Sequence, residues 1–402
     1  MASPPLSILC LASFFKGGPF MQALKAQGHY VLLLTQEKHI HEPWPRESID
    51  EIFAVPKVSQ KPDILYTVSY LNRGRRIDAI VALDDFDVEI AADLREHLRL
   101  PGLGSSLARH FRDKLAMRQV AQAGGVAVPE YVRVVNYDDL REFMGRVPAP
   151  WLLKPRGEAS SMGIRRLQDS EQMWRALDEL GDQQSFFVLE QYLPGEVFHV
   201  DALVNEGKVI FAIPSRYARP PLNVYQDGGV FVTRTLDRKD KLTKALLSIN
   251  QKTIKALGLE RGATHAEFLR ANADGQLYFI ECAARVGGAN ISEMVEHASG
   301  INLWREWAHI EAAHLLNQPY TLPPARQDYA AVLMCLAQQQ WPDTSAYNDP
   351  EVVWRAHKEQ HAGLILASPS AARVAELSDR YAQRFAKDFL MVMPPKESVR
   401  NM

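Results

Sequence analysis

The sequence predicts a multidomain protein that combines α/β and α+β architecture. Its 402 residues allow two or three domains at roughly 150 residues each. Apolar strands and helices alternate through the first part of the chain, hairpins dominate the middle, and three strand-like stretches with one helix close it. We therefore predict an N-terminal α/β domain over residues 1–105, a central domain over 106–325 and a small C-terminal α+β subdomain over 326–402.

The N-terminal domain is predicted from alternating strands and helices. Residues 6–12 (LSILCLA), 30–35 and 77–83 are apolar, strand-like stretches, and helical stretches cover residues 20–28 and 87–98. Strand, helix and strand at this spacing indicate a parallel sheet covered by helices. The turn-forming stretch PGLGSS (residues 101–106) marks the predicted boundary.

The central domain begins with a predicted helix from Ser106 to about residue 124. Short strands follow at residues 128–134, 149–155 and 185–193, and residues 199–213 form a predicted hairpin. A helix over residues 239–257 precedes a second hairpin, which turns at Asp274-Gly275. An amphipathic helix is predicted over residues 302–316.

Charge and composition exclude several functions. The formal net charge is −2, which indicates neither a nucleic-acid partner nor an anionic membrane. No stretch approaches the ~20 apolar residues that cross a bilayer. The cysteines, Cys10, Cys282 and Cys335, are odd in number and far apart, so neither a disulfide framework nor a zinc site fits. A cytoplasmic protein is the resulting expectation.

Two glutamates interrupt the apolar strands of the second predicted hairpin. A turn at Asp274-Gly275 places Glu267 opposite Glu281, and two neighbouring carboxylates repel unless a cation lies between them. Mg²⁺ prefers carboxylate oxygens and keeps water or phosphate in its other positions. The pair therefore suggests a metal–phosphate site. The alternative is that each glutamate points to solvent from a half-exposed sheet.

Upstream, Lys154 ends a strand and precedes the small-residue loop RGEASSMG (residues 156–163). Such a loop can cover phosphates with its backbone N–H groups, while the lysine supplies a point charge. The pattern is not that of a Walker P-loop. Lys114, taken alone, fits a solvated residue within a helix. The extended segment from Glu190 to Leu193 can offer backbone groups to an adenine edge, and Glu196 can reach ribose hydroxyls.

Taken in order, these motifs resemble the ATP-grasp superfamily. The matching stretches are RDKLAMR, WLLKPRGEASSMG, VLEQYLPGEVFHVDA, THAEF and FIECAARVGG, within residues 106–324. The stretch from Ala283 to Trp304 is most similar to amino-acid ligases and biotin-carboxylase-like members. The resemblance implies a Rossmann-like pre-ATP-grasp domain before residue 106, and a central ATP-grasp fold whose small lid subdomain covers residues 130–190.

The resemblance also implies roles for individual residues. Glu267 and Glu281 would hold Mg²⁺, for which Mn²⁺ can substitute, and Arg285 and Lys154 would act at the transferred phosphate. The residues that would contact ATP are Lys114 and Lys154 at the α- and β-phosphates, Gly157, Ser160, Ser161 and Gly163 in the covering loop, Glu190, Gln191, Tyr192 and Leu193 at adenine, and Glu196 at ribose.

The sequence departs from the family at one metal ligand. Many members carry Asn two residues after the second magnesium glutamate, whereas this chain has Ala283. Asn290 or water can replace that ligand. For Asn290 the sequence favours a helix N-cap over a metal ligand, with Glu293 completing a capping box.

The implied activity is that of an ATP-dependent carboxylate–amine ligase. It would phosphorylate a small carboxylate and join the acylphosphate to an amine, with ADP and phosphate as products. Arg285 would bind the acid, with Arg216 as a second cation. The loops at residues 157–163 and 217–229 are the predicted lids. The alternatives are a bicarbonate-activating carboxylase and a nucleotide-binding protein without turnover. Homodimers are common in the superfamily, and the oligomeric state stays open.

Overall fold

The computed structural model describes residues 4–393, which form three β-sheets with covering helices. The N-terminal sheet is parallel, with its strands in the order β3-β2-β1-β4. This confirms the predicted α/β domain. Its elements are β1 (Ser7–Ala12), α1 (Gly18–Ala26), β2 (Tyr30–Gln36), β3 (Glu51–Val55), α2 (Asp63–Gly74), β4 (Ala79–Ala82) and α3 (Val88–Leu98). Two of these elements, β3 and α2, were not predicted from the sequence.

The helix predicted from Ser106 to residue 124 is wrong as a single element. It divides into α4 (Ser105–Ala108) and α5 (Lys114–Ala123), with a 3-10 turn between them. Asp113 has an extended backbone there, and its carboxylate caps α5 by accepting from Leu115 N at 3.0 Å. The break places Lys114 at the first position of α5, where its backbone N–H donates to Arg156 O at 2.9 Å.

A second, four-stranded sheet forms a small subdomain within the range predicted for the lid. The strand order is β5-β8-β6-β7. Its strands and helices are β5 (Tyr131–Arg133), α6 (Tyr137–Arg146), β6 (Trp151–Pro155), β7 (Arg165–Leu167), α7 (Ser170–Leu180) and β8 (Phe187–Gln191). Both helices have strongly amphipathic patterns, and their buried side chains form one cluster with Trp151, Leu153 and Leu189.

The third sheet has eight strands in the order β13-β12-β9-β10-β11-β14-β16-β15. Both predicted hairpins are confirmed, since β9 pairs with β10 and β12 pairs with β13, each antiparallel. The strands are β9 (Gly195–Asn205), β10 (Lys208–Tyr217), β11 (Phe231–Thr235), β12 (Gly262–Ala271), β13 (Leu277–Ala283), β14 (Tyr329–Leu336), β15 (Val352–Arg355) and β16 (His361–Ser368). The helices of this part are α8 (Pro221–Asp227), α9 (Lys241–Leu257), α10 (Ile291–Ser299), α11 (Leu303–Leu315) and α12 (Ala371–Asp388).

The segment expected as a C-terminal subdomain continues this large sheet. β14 pairs with β11, so the last three strands share a sheet with the strands that carry Glu267 and Glu281. The N-terminal domain is joined to the same body through α1 and α11. Phe20 and Trp307 pack edge to face there, with ring centroids 5.1 Å apart. Within residues 4–393, no helix is long and apolar enough to cross a membrane.

Candidate functional site

The two glutamates of the second hairpin lie directly opposite each other. Glu267 on β12 is the register partner of Glu281 on β13, as predicted from the turn. The register shifts between Glu267 and Phe268, and such irregularities change the direction of neighbouring side chains. Oε1 of Glu267 accepts a hydrogen bond from the Tyr217 hydroxyl at 2.8 Å. Both carboxylates line one cleft.

Lys114 reaches Glu281 from the start of α5. Its Nζ lies 3.2 Å from Glu281 Oε2 and donates to Glu158 O at 2.5 Å, so it joins the strand carboxylate to the small-residue loop. Burial raises the pKa of Glu281, but Lys114, Lys154 and Arg118 outweigh burial and lower it. Glu281 is therefore an anion at neutral pH.

Lys154 belongs to a buried group of three charges. Its Nζ lies 2.6 Å from Glu190 Oε2, and an Nη atom of Arg118 lies 2.9 Å from Glu190 Oε1. Burial raises the pKa of Glu190, yet the two cations lower it to about 2. Burial lowers the pKa of Lys154, against the opposing effect of Glu190. One carboxylate between two cations leaves one positive charge beside the cleft.

Arg118 was not predicted as a site residue, although it lies within the motif RDKLAMR. Its position four residues after Lys114 places both side chains on one face of α5, which is the signal that could have found it. Glu190 was predicted at adenine. Its carboxylate is instead engaged by Lys154 and Arg118, so the adenine prediction now depends on the backbone of the segment that follows.

A cleft with about 930 Å³ of empty space brings most of the predicted residues together. It lies between the small subdomain and the large sheet. Those of its lining residues that were predicted are Lys114, Lys154, Ser161, Glu190, Gln191, Tyr192, Leu193, Glu267 and Glu281. The predicted residues outside its lining are Gly157, Ser160, Gly163, Glu196 and Arg285.

Both predicted lid segments border this cleft. In the first, Ser160, Ser161 and Gly163 have positive φ angles of 57°, 60° and 67°. Non-glycine residues in that conformation carry strain and cluster at functional sites. In the second segment, residues 220–223 line the cleft, and Gln226 Nε2 donates to Ile164 O at 3.4 Å. The short helix α8 in this segment was not predicted.

Arg112 connects the first lid segment to the N-terminal domain. Its guanidinium donates to Asp85 Oδ2 at 2.6 Å and also to Gly157 O. Asp85 follows β4, the strand at one edge of the parallel sheet. The first residue of the covering loop is therefore held by a hydrogen bond from Arg112, which is itself paired with the N-terminal domain.

Glu196, predicted at ribose, lies between two arginines. Its carboxylate forms ion pairs with Arg216 and Arg270. Arg216 was expected as a second cation for the acid, and in the structure its guanidinium is paired with Glu196. All three side chains remain partly exposed to solvent.

Arg285 lies after β13 and close to acidic side chains of two domains. Burial alone would lower the pKa of its guanidinium. The nearby carboxylates of Asp85, Asp84 and Glu281 outweigh burial, so the pKa is raised above its ordinary value. Nη1 donates to Val286 O at 2.8 Å, whereas the buried Nε has no hydrogen-bond partner among the described residues. A permanently charged, incompletely paired guanidinium suits an anionic ligand.

The segment after Glu281 contains Ala283 and Asn290, the two residues considered from the sequence for the missing metal ligand. Ala283 ends β13 and supplies no metal ligand. Asn290 occupies the N-cap position of α10 with φ 59°, but its side chain makes no capping hydrogen bond to the helix. In the same segment, a Cβ atom on Gly287 would lie 2.7 Å from Asp201 Oδ1, so the glycine permits close packing on a buried aspartate.

These sheets and this cleft define an ATP-grasp architecture, and comparison with family models agrees. Residues 147–293 match the ATP-grasp domain, and residues 21–102 match the ATP-grasp N-terminal domain. The chain is a member of the ATP-grasp superfamily, as its motifs predicted.

Among curated relatives, the L-arginine-specific L-amino acid ligase of Bacillus subtilis is 27% identical over 298 residues, which cover 72% of this chain and 71% of the relative. The alanine–anticapsin ligase of Bacillus subtilis strain 168 is 26% identical over 251 residues, covering 56% of this chain and 52% of the relative. The chain thus spans about half the length of the second relative. Both relatives are named as ligases, the class of enzyme predicted from the sequence.

Solved structures share the whole fold. An L-amino acid ligase from Bacillus licheniformis superposes with a TM-score of 0.76 at 17% identity, covering 97% of this chain and 99% of the other. The biotin carboxylase domain of a 2-oxoglutarate carboxylase from Hydrogenobacter thermophilus gives 0.73 at 15% identity, covering 96% and 90%. At these identities the likeness concerns the fold.

Proposed function

We propose that this protein is an ATP-dependent carboxylate–amine ligase that releases ADP and phosphate. The observation that carries the proposal is the opposition of Glu267 and Glu281 in a cleft that also contains Lys114 and Lys154. Two carboxylates beside two lysines suit a nucleotide phosphate chain with its divalent cation. A sheet face that merely contacted solvent would not need buried lysines.

The donor atoms fit magnesium. Glu267 and Glu281 offer oxygens only, and Mg²⁺ takes oxygen ligands and retains water in its other positions. When bound, the ion would neutralise charge on the phosphate oxygens. Ala283 adds no ligand, so we expect water to complete the coordination. Mn²⁺ has the same preference for oxygen and should replace Mg²⁺.

The nucleotide would lie between the sheet of the small subdomain and the eight-stranded sheet. Lys114 and Lys154 would contact the α- and β-phosphates, and the loop with Gly157, Ser160, Ser161 and Gly163 would cover them. The base would meet the backbone of residues 191–193, and Glu196 would contact the ribose hydroxyls. The charge of Lys154 is only partly offset, because Arg118 shares Glu190 with it.

The reaction then proceeds in two balanced steps. A carboxylate oxygen of the acid attacks the γ-phosphorus of ATP, and the bond from that phosphorus to the ADP oxygen breaks. An amine next attacks the acyl carbon, the bond to the phosphate oxygen breaks, and the amine proton is released with inorganic phosphate. Arg285 and Lys154 would stabilise the charge on the transferred group. The two lid segments would exclude water from the acylphosphate.

The substrates we propose are small molecules, with an amino acid as the acid. The names of the two curated relatives, an L-amino acid ligase and an alanine ligase, support this class. We further propose a cytoplasmic location, consistent with cysteines that are all buried and unpaired. Whether the enzyme forms a homodimer stays a prediction.

The test is ADP formation from ATP with a panel of paired amino acids. We expect particular pairs to raise ADP release well above background and to yield a dipeptide-type product detectable by mass spectrometry. Stimulation by bicarbonate without an amine would indicate a carboxylase instead. Tight ATP binding with no turnover under any pair would indicate a non-catalytic protein.

Glu281→Gln provides the matched variant. It removes one anionic oxygen and keeps the side-chain shape, so turnover should fall by orders of magnitude while ATP still binds. The control is Glu171→Gln on α7, whose side chain is 81% exposed, and this variant should retain wild-type turnover. Wild-type rates in Glu281→Gln would remove Glu281 from the site.

A further inference from the structure

A layer of buried polar side chains lies behind Glu267. His199 and Asp201 lie on β9, and His265 on β12 is the register partner of Asp201. Tyr217 ends β10 and pairs in register with Thr233 on β11. Each of these five side chains belongs to a residue that is at most 8% exposed. None of these five side chains has an assigned contact with the nucleotide or the divalent cation in the proposed site.

Hydrogen bonds join the layer into one chain. Thr233 Oγ1 lies 2.7 Å from His199 Nε2, and His199 Nδ1 lies 2.6 Å from Asp201 Oδ2. The other oxygen of Asp201 is 2.9 Å from His265 Nδ1. Each Asp201 oxygen therefore accepts from one imidazole. Buried polar networks with satisfied partners hold their members in one geometry.

The chain ends on the carboxylate of Glu267. His265 Nε2 lies 3.5 Å from Glu267 Oε1 and 3.3 Å from the Tyr217 oxygen. Tyr217 itself donates to Glu267 Oε1 at 2.8 Å. Oε1 thus accepts a hydrogen bond from Tyr217 and faces the imidazole of His265 behind it. Among residues 4–393, no group hydrogen-bonds Glu267 Oε2, so this is the oxygen left for a ligand in the cleft.

We propose that Tyr217 and His265 are positioning residues, which orient Glu267 so that Oε2 faces the divalent cation. The inference rests on the proposed function, because it needs the cation site. Asp201, held by His199, fixes the imidazole of His265 in turn. Partners that orient a metal-binding carboxylate typically contribute 10–100-fold to metal affinity or activity.

A metal ion within the layer itself is the competing interpretation. Ligand atoms of His199, Asp201 and His265 all lie within 4.8 Å of one another. However, the nitrogen–oxygen separations of 2.6 and 2.9 Å are those of direct hydrogen bonds. Gly287 also covers Asp201, since a Cβ atom there would lie 2.7 Å from its Oδ1. The layer is closed by its own contacts.

Tyr217→Phe tests the proposal, because it removes only the hydroxyl. The ring keeps its packing against Phe231, with centroids 5.7 Å apart. The measurement is Mn²⁺ binding to the ADP complex by electron paramagnetic resonance, which does not depend on turnover. Affinity should fall about 10-fold or more. In assays, the KM for Mg²⁺ should rise while kcat at saturating Mg²⁺ changes much less.

Tyr347→Phe is the matched control. This tyrosine is 1% exposed, and its hydroxyl donates to Asp388 at 2.7 Å on the far side of the large sheet. It should leave Mn²⁺ affinity unchanged. A second variant, His265→Asn, keeps a donor towards Asp201 but removes the ring nitrogen near Glu267, and it should also weaken Mn²⁺ binding.

The outcomes separate this inference from the proposed function. If wild-type protein binds no Mn²⁺ with ADP, the proposed metal site is wrong. If wild type binds Mn²⁺ and both Tyr217→Phe and His265→Asn, folded by circular dichroism, bind it within twofold of wild type, the positioning role is overturned. Mn²⁺ or Zn²⁺ bound without ADP, and lost in His199→Asn, would establish the competing site in the layer and also overturn the proposal.

Discussion

Arg118→Met should be among the most destabilising substitutions near the site. Arg118 is fully buried, and its guanidinium contacts Glu190 and the carbonyl oxygen of Ile280. Methionine fills similar space but leaves that carbonyl without its donor and Glu190 with one cation. Removing one partner of a buried ionic group costs about 3–5 kcal/mol. We take about 3 kcal/mol, because Lys154 still pairs with Glu190.

Thermal unfolding monitored by circular dichroism measures this loss. An unfolding entropy of ~2.1 cal/mol/K per residue over 402 residues converts 3 kcal/mol into a fall in Tm of about 4 °C for one cooperative unit. The folded variant should also bind ADP more weakly, because the charge near the phosphates falls by one unit.

Arg133→Met is the control for the same chemical change. Arg133 is 61% exposed and lies 3.4 Å from Asp139, a surface pair worth under ~1 kcal/mol. Its Tm should fall by no more than about 1 °C. If Arg118→Met unfolds within 1 °C of Arg133→Met, Arg118 does not hold the buried charges together, and the reasoning from burial fails.

Three further predictions follow from the site. Gly287→Ala should lower both Tm and turnover. The new Cβ atom would lie 2.7 Å from Asp201 Oδ1 and 3.0 Å from His265 Nδ1. An unchanged Tm and turnover would show that the loop moves to accommodate the alanine. Folding lowers the pKa of Glu190 from 4.5 to about 2. The ionised carboxylate therefore stabilises the folded protein by about 3 kcal/mol. This stabilisation is complete above pH 4.5 and is lost as the pH falls towards 2. Urea titrations between pH 7 and 3 should therefore show a smaller loss of unfolding free energy in Glu190→Gln than in wild type. EDTA should abolish amino-acid-stimulated ADP release, and excess Mn²⁺ should restore it; release that persists in EDTA would exclude the metal requirement.

Local sequence patterns predicted the hairpin that carries Glu267 and Glu281 because a turn at a known position fixes which residues face each other across two strands. The same reasoning gave one long helix after residue 106, which was wrong. Asp113 ends that helical pattern by capping α5 and pairing with Arg156. Arg156 is 43 residues away from Asp113 along the chain, so the local helix pattern could not predict this ion pair.

The sequence by itself determined the class of fold, the parallel N-terminal sheet, the two hairpins and the order of the motifs, since these depend on periodicity and short turns. Only the tertiary structure showed that Arg118 and Lys154 share Glu190, and that a buried layer ends on Glu267. Arg118 and Glu190 are 72 residues apart, and Asp201 and His265 are 64 apart. Such contacts arise when separate strands and helices pack together, and no local spacing along the chain encodes them.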